Sequence, residues 1–171
     1  MAPERQTQCS RVAAEMRQRV ERLLAHSEEL VLVDHFFDPR EPRFVRPFEA
    51  FVGVRPNWKR LEIHTALPDP FWRESQQASY DRLQDAVPSG TALKVCFWPG
   101  LPQGEQLHPR FVLTERGGVQ FDYGLDEGRS QADTPLVTLL EHEVFLSLRE
   151  DYCAHSRKFG EPREVVVPGR R

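Results

Sequence analysis

Leu30-Val31-Leu32-Val33 is a run of consecutive apolar residues that ends at Asp34-His35. Side chains of a strand alternate between two faces, so a strand can be apolar throughout only if both faces are covered. The run therefore predicts a buried, parallel strand inside a layered molecule. Around it the hydrophobic period keeps changing. Val12, Met16, Val20, Leu23 and Leu24 recur at spacings of three or four within residues 10–27, which predicts an amphipathic helix capped by Ser10. Asp38-Pro39-Arg40-Glu41-Pro42 breaks the chain. Phe44, Val45, Phe48, Phe51 and Val52 then resume helical spacing up to Gly53, with Pro47 in the first turn.

The alternation continues. Leu61 to Thr65 predicts a second strand, Phe71 to Ala86 a helix stopped by Pro88-Ser89-Gly90, and Ala92 to Phe97 a third strand. Pro99 to Gly104 is a loop by its turn residues. Arg110–Thr114 and Val119–Tyr123 flank Arg116-Gly117-Gly118 and predict a hairpin. Leu136 to Leu140 adds a strand and Glu143 to Ala154 a closing helix. From Ser156 the chain is basic and proline-bearing, and it reads either as an edge strand over Glu164 to Val167 or as a mobile tail. Alternating β and α units predict a single-domain α/β protein, with a mixed, mostly parallel sheet flanked by helices. Residues 1–27 would form an N-terminal helix, 28–155 the domain, and 156–171 the tail or edge strand.

The chain has 171 residues, 39% hydrophobic and 29% charged, enough for one core. Its net charge of -3 excludes the overall basic footprint of a dedicated nucleic-acid binder and leaves room for a local patch. Arg11, Arg17, Arg19 and Arg22 on the first helix, partly balanced by Glu15 and Glu21, read as a solvated face; docking of a protein partner is the second reading. On that second reading, deleting residues 1–27 removes partner capture and leaves the core intact. Cys9, Cys96 and Cys153 are too scattered for a zinc site or a disulfide framework, which points to a reducing cytoplasm. No run approaches the roughly 18 apolar residues of a membrane span, so a soluble protein without membrane contact is expected. His142, between Glu141 and Glu143, lacks a second histidine at helical spacing, and neither metal nor cofactor is expected. Trp58, Trp72 and Trp98 read as core or interface residues.

Chemistry concentrates around Leu107-His108-Pro109-Arg110. His108 and Arg110 are two residues apart at the start of Phe111-Val112-Leu113, so both side chains would share a strand face. A histidine that attacks or shuttles a proton beside a permanent guanidinium fork suits a phosphate. In the plainer reading His108 and Arg110 bond within the fold, with Asp126 or Glu115 pairing the arginine. Asp34, His35 and Asp38 end the first strand and His64-Thr65 the second, where open parallel sheets collect binding residues. Loop capping and a satisfied histidine are the preferred reading there. Gly117-Gly118 reads as a hairpin turn ahead of a phosphate cradle, and Gly124 as a close backbone approach.

These residues resemble the His-x-Lys-x4-Asp signature of the phospholipase D superfamily, with Arg110 at the lysine position and Glu115 at the aspartate position. Leu-His-x-Arg, the glycine pair and Gly124-Leu125-Asp126 are similar, in that order, to the phospholipase D-like C-terminal domain of microtubule-interacting-and-trafficking (MIT) domain proteins. Leu30 to Pro39 and Arg60 to Thr65 resemble that family's first two strands, so the likeness spans residues 28 to 154. It implies a phospholipase D-like half. It also implies a catalytically degenerate binding and dimerisation module with a place in a prokaryotic defence or conflict system. The membrane role of MIT-linked relatives is not carried over, because no MIT domain precedes the matching stretch. The enzyme alternative is a homodimeric, metal-independent phosphodiesterase or nuclease, in which two copies of His108 face each other across a two-fold axis. His108 would then be nucleophile or acid, Arg110 the phosphate clamp and Glu115 the orienting carboxylate. A phosphate-containing ligand or nucleic acid would meet His108, Arg110, Gly117, Gly118, Asp126, Asp34, His35 and His64.

Overall fold

A computed structural model describes residues 5–68, 75–101, 110–128, 134–153 and 155–170. Along them run β1 (Gln6–Gln8), α1 (Ala13–Ala25), β2 (Glu29–Asp34), α2 (Pro42–Val52) and β3 (Arg60–Ala66). Then follow α3 (Gln76–Tyr80), β4 (Ala92–Trp98), β5 (Arg110–Leu113), β6 (Gly118–Phe121), β7 (Leu136–Leu139), α4 (His142–Asp151) and β8 (Arg163–Pro168). All the strands join one sheet in the order β1-β7-β6-β5-β2-β3-β4-β8.

The α/β class is as expected, but the sheet is mostly antiparallel. Among the described residues only β2–β3 and β3–β4 run parallel, each joined through a helix. β5–β6 is a tight hairpin, and a short connection of that kind can only join antiparallel neighbours. β7 continues the meander, β5 returns antiparallel beside β2, and β1 and β8 close the edges antiparallel. From Ser156 onward, therefore, the edge strand is the alternative that forms.

Register divides the side chains between two cores. Leu30, Leu32, Leu61, Ile63, Leu93, Val95 and Val112 face α1, α2 and α3 and pack on Val20, Leu24, Phe48, Phe51 and Leu83. Val31, Val33, Cys96, Trp98, Phe111 and Leu113 face the other way, onto Phe145 and Tyr152. The unbroken Leu30–Val33 run thus has the covering on both faces that it requires. Met16, Val20 and Leu24 of α1 are buried in the first of these cores, so the N-terminal helix is part of the same packing as the sheet.

Several helix ends differ from expectation for identifiable reasons. Ser10 does not cap α1: Val12 occupies that position, and the Ala13 N–H donates to Glu127 Oε2 at 3.1 Å. A distant carboxylate replaces the local cap. Pro42 occupies the first turn of α2, while Pro47 lies inside the helix. Lacking an N–H, Pro47 cannot donate to the Arg43 carbonyl, and the Glu127 N–H takes that acceptor at 2.8 Å. Ser75 caps α3, its side chain accepting from Ala78 N–H at 3.1 Å, so this helix starts after the expected Phe71 and passes into a 3-10 turn over Asp81–Leu83. Residues 69–74, which include the expected Phe71 start, lie outside the described residues. No helix among those described is long and apolar enough to cross a membrane.

Candidate functional site

Arg110 begins β5 and Asp34 ends β2, and antiparallel register sets them opposite one another. Both are buried, with Arg110 Nε 3.1 Å from Asp34 Oδ1. The contact joins the charges without an aligned N–H, so Nε and Nη1 of this guanidinium keep unspent donor capacity. The guanidinium carbon also sits 5.0 Å from the Phe36 ring centroid. Asp34 is held in place by its own turn and by a distant loop: Oδ1 accepts from Phe36 N–H at 2.9 Å and Oδ2 from Leu125 N–H at 3.0 Å. Burial pushes the Asp34 carboxyl above its usual range, against the pull of Arg110 and these two N–H donors.

Asp126 stands beside this pair and is clamped by two other arginines. Its Oδ1 accepts from Arg11 Nη2 at 2.7 Å and its Oδ2 from Arg43 Nη1 at 3.0 Å. Gly124, at φ 134°, makes the approach possible, because a Cβ there would run into the Asp126 carboxylate and lie 3.4 Å from Arg110 Nε. The Gly124–Glu127 loop is thereby fixed to the N-terminal ends of α1 and α2, with Glu127 also paired to Arg46.

The sequence-predicted residues thus fall into three places. Asp34, Arg110 and Asp126 come together at the end of β2. His35 and His64 lie on the opposite face, as strand alternation requires of a residue next to Asp34 and of one opposite Val33 in the neighbouring strand. Glu115, Gly117 and Gly118 lie at the far end of β5. Glu115 accepts the backbone N–H groups of Glu28 and Glu29 at 2.8 and 3.0 Å, so it orients nothing at Arg110. Gly118 is a packing glycine, since a Cβ there would come within 2.7 Å of Leu113 and Leu140 side chains. His108 lies outside the described residues.

His64 belongs to a buried polar chain. Trp98 Nε1–H donates to His64 Nδ1 at 2.9 Å, which assigns the imidazole proton to Nε2, and Nε2 donates to Glu62 Oε2 at 2.8 Å. Arg60 Nη2 donates to the same oxygen at 2.8 Å. Burial of Glu62 is outweighed by these hydrogen bonds, and its carboxyl falls to about 2. Burial lowers the basicity of His64 despite Glu62. His35 lies nearby, its Nε2 3.4 Å from the Tyr152 hydroxyl. His64 itself is fully buried with both ring nitrogens hydrogen-bonded, so the satisfied-histidine reading holds for it.

Arg43 and the roles of Arg11 and Arg60 were not foreseeable from local pattern. Local pattern groups Arg11 with a solvated face, while its partner Asp126 lies on a loop far along the chain. The proline inside the α2 pattern was the available signal that another segment must approach Arg43.

No family model matches this chain, and no curated protein does. Among solved structures it is similar to TrmBL2, an archaeal chromatin protein described as showing a novel mode of DNA binding, at 12% identity and a TM-score of 0.40. The likeness covers 88% of this chain and 52% of that one, so the chain spans about half the length of its neighbour. That is too slight a likeness to inform the reading of the site.

Proposed function

We propose that this chain is a catalytically degenerate phospholipase D-like half that works as a binding and dimerisation module. The observation that carries the reading is the Arg110–Asp34 pair. Arg110 occupies the position that the resemblance gives to a phosphate-neutralising lysine, and a buried carboxylate 3.1 Å away already meets its charge. A phosphoryl group developing negative charge there would have to compete with Asp34, and with Asp126 beside it. Glu115, the counterpart of the family's aspartate, is spent on two backbone N–H groups at the other end of the strand. With its charge met by Asp34 inside the fold, Arg110 favours a non-catalytic role at this end of the sheet.

The test is hydrolysis of a nitrophenyl phosphodiester and of DNA by the wild-type chain and by His108→Ala, alongside sedimentation equilibrium. No turnover above background and a mass of two chains are expected. Turnover that His108→Ala abolishes would establish the enzyme reading instead, and a monomer at all concentrations would remove dimerisation from the proposal.

A further inference from the structure

At the end of the sheet away from Arg110, a groove of about 700 Å³ opens between α1 and the strands β6, β7 and β1. Four arginines converge on it from distant parts of the chain: Arg5 ahead of β1, Arg19 and Arg22 on α1, and Arg116 in the β5–β6 turn. Its apolar floor is made by Leu23, Val119 and Val137. No carboxylate among the described residues lines it. Arg19 and Arg22 have no carboxylate partner among the described residues, whereas Arg5 meets Glu141 and Arg116 lies 3.6 Å from Glu115. Arg5 and Glu141 are both exposed, and an exposed pair of this kind contributes about 0–1 kcal/mol, so it yields easily to a stronger anion; Arg116 is exposed beside a half-buried Glu115 whose oxygens accept the Glu28 and Glu29 N–H groups.

We propose that this groove binds a nucleotide-sized phosphate ester, with the phosphates on the arginines and the base and sugar on the aliphatic floor. Guanidinium forks match phosphate oxygens two at a time, and four of them around one cavity suit several phosphates close together. The volume lies within the roughly 300–1,000 Å³ of small-molecule sites. A long nucleic acid would have to run on from the groove over a chain of net charge -3, while a mononucleotide meets only the local field. Among the described residues the lining carries one imidazole, His26, and no Phe, Tyr or Trp on which a single strand could stack successive bases. This site stands apart from the Arg110 end, so it neither needs nor excludes hydrolysis there.

The test is calorimetric titration of the full chain with adenosine triphosphate, inorganic tripolyphosphate and a short single-stranded oligonucleotide. The double variant Arg19→Gln with Arg22→Gln is measured in parallel. Both arginines are exposed on α1, so the variant should keep the wild-type circular dichroism spectrum. Adenosine triphosphate is expected to bind best, tripolyphosphate more weakly for want of the floor, and the double variant about 100-fold more weakly than wild type, about tenfold per guanidinium. Four results would overturn the proposal: no binding at about 1 mM nucleotide, an unaffected double variant, tripolyphosphate binding as well as the nucleotide, or an oligonucleotide that binds where the nucleotide does not.

Discussion

Glu62 and His64 face the same side of β3 with their protons already assigned, Nε2–H of the imidazole donating to an ionised carboxylate. The fold holds Glu62 at about 2 against an ordinary 4.5, so between these values the unfolded chain takes a proton that the native state refuses. Stability from this carboxylate is complete above 4.5 and is lost as the pH falls toward 2; its size is about 3 kcal/mol. His64 contributes with the same sign from its ordinary 6.5 downward, because burial disfavours its charged form. Urea unfolding across a pH series is therefore expected to show stability that starts to fall near 6.5 and steepens below 4.5, with Glu62→Gln flattening the lower limb. A profile that stays level through that range would contradict the assignment. His64 was legible as a satisfied histidine from its place at a strand end, but its partner was not. Likewise the plainer reading of Arg110 gives it Asp126 or Glu115 as partner, whereas it pairs with Asp34, because the choice depends on which strand lies beside β5, and local pattern does not encode strand order.

Pro47 shows how one residue shapes an element and then a loop. Inside α2 it removes the hydrogen bond that would have used the Arg43 carbonyl, and Glu127 supplies the missing donor from the loop that also carries Asp126. Pro47→Ala restores a helical N–H that competes with Glu127 for this acceptor. The variant is expected to keep or gain overall stability, since alanine suits a helix interior by up to about 3 kcal/mol over proline. The Glu127 amide should meanwhile exchange with solvent about tenfold faster, the equivalent of one hydrogen bond. Amide exchange measured by NMR checks this; unchanged protection at Glu127 would mean that the loop is held by its side chains alone. Helix positions were readable because apolar spacing is local. Helix ends were read less well, since Glu127 serves as a distant cap for α1 and Ser75 cuts α3 short.

At the scale of the molecule, α1 settles a question that the separate first segment had raised. Met16, Val20 and Leu24 are essentially inaccessible, and each contributes about 1.5–3 kcal/mol of burial against a total stability of about 5–15 kcal/mol. Deleting residues 1–27 also strips β1 from β7. The truncated chain is expected to lose its cooperative thermal transition in circular dichroism; a sharp melt like that of the full chain would show that α1 is dispensable. The β2–α2–β3–α3–β4 unit was legible because every step joins sequence neighbours. The insertion of β5 beside β2, and the addition of β1 and β8 at the rims, come from long-range pairing that no local period reveals. Those rims also carry a consequence for how the molecule is assembled. Gln6 lies opposite Thr138, so the β1 rim closes the longest loop of the sheet, whereas Ala92 opposite Pro168 closes one no longer than the central pairing of Asp34 with Arg110. Pairing of β1 is therefore the step most delayed by chain closure, and until it arrives the unpaired side of β7 is open to strands of other chains.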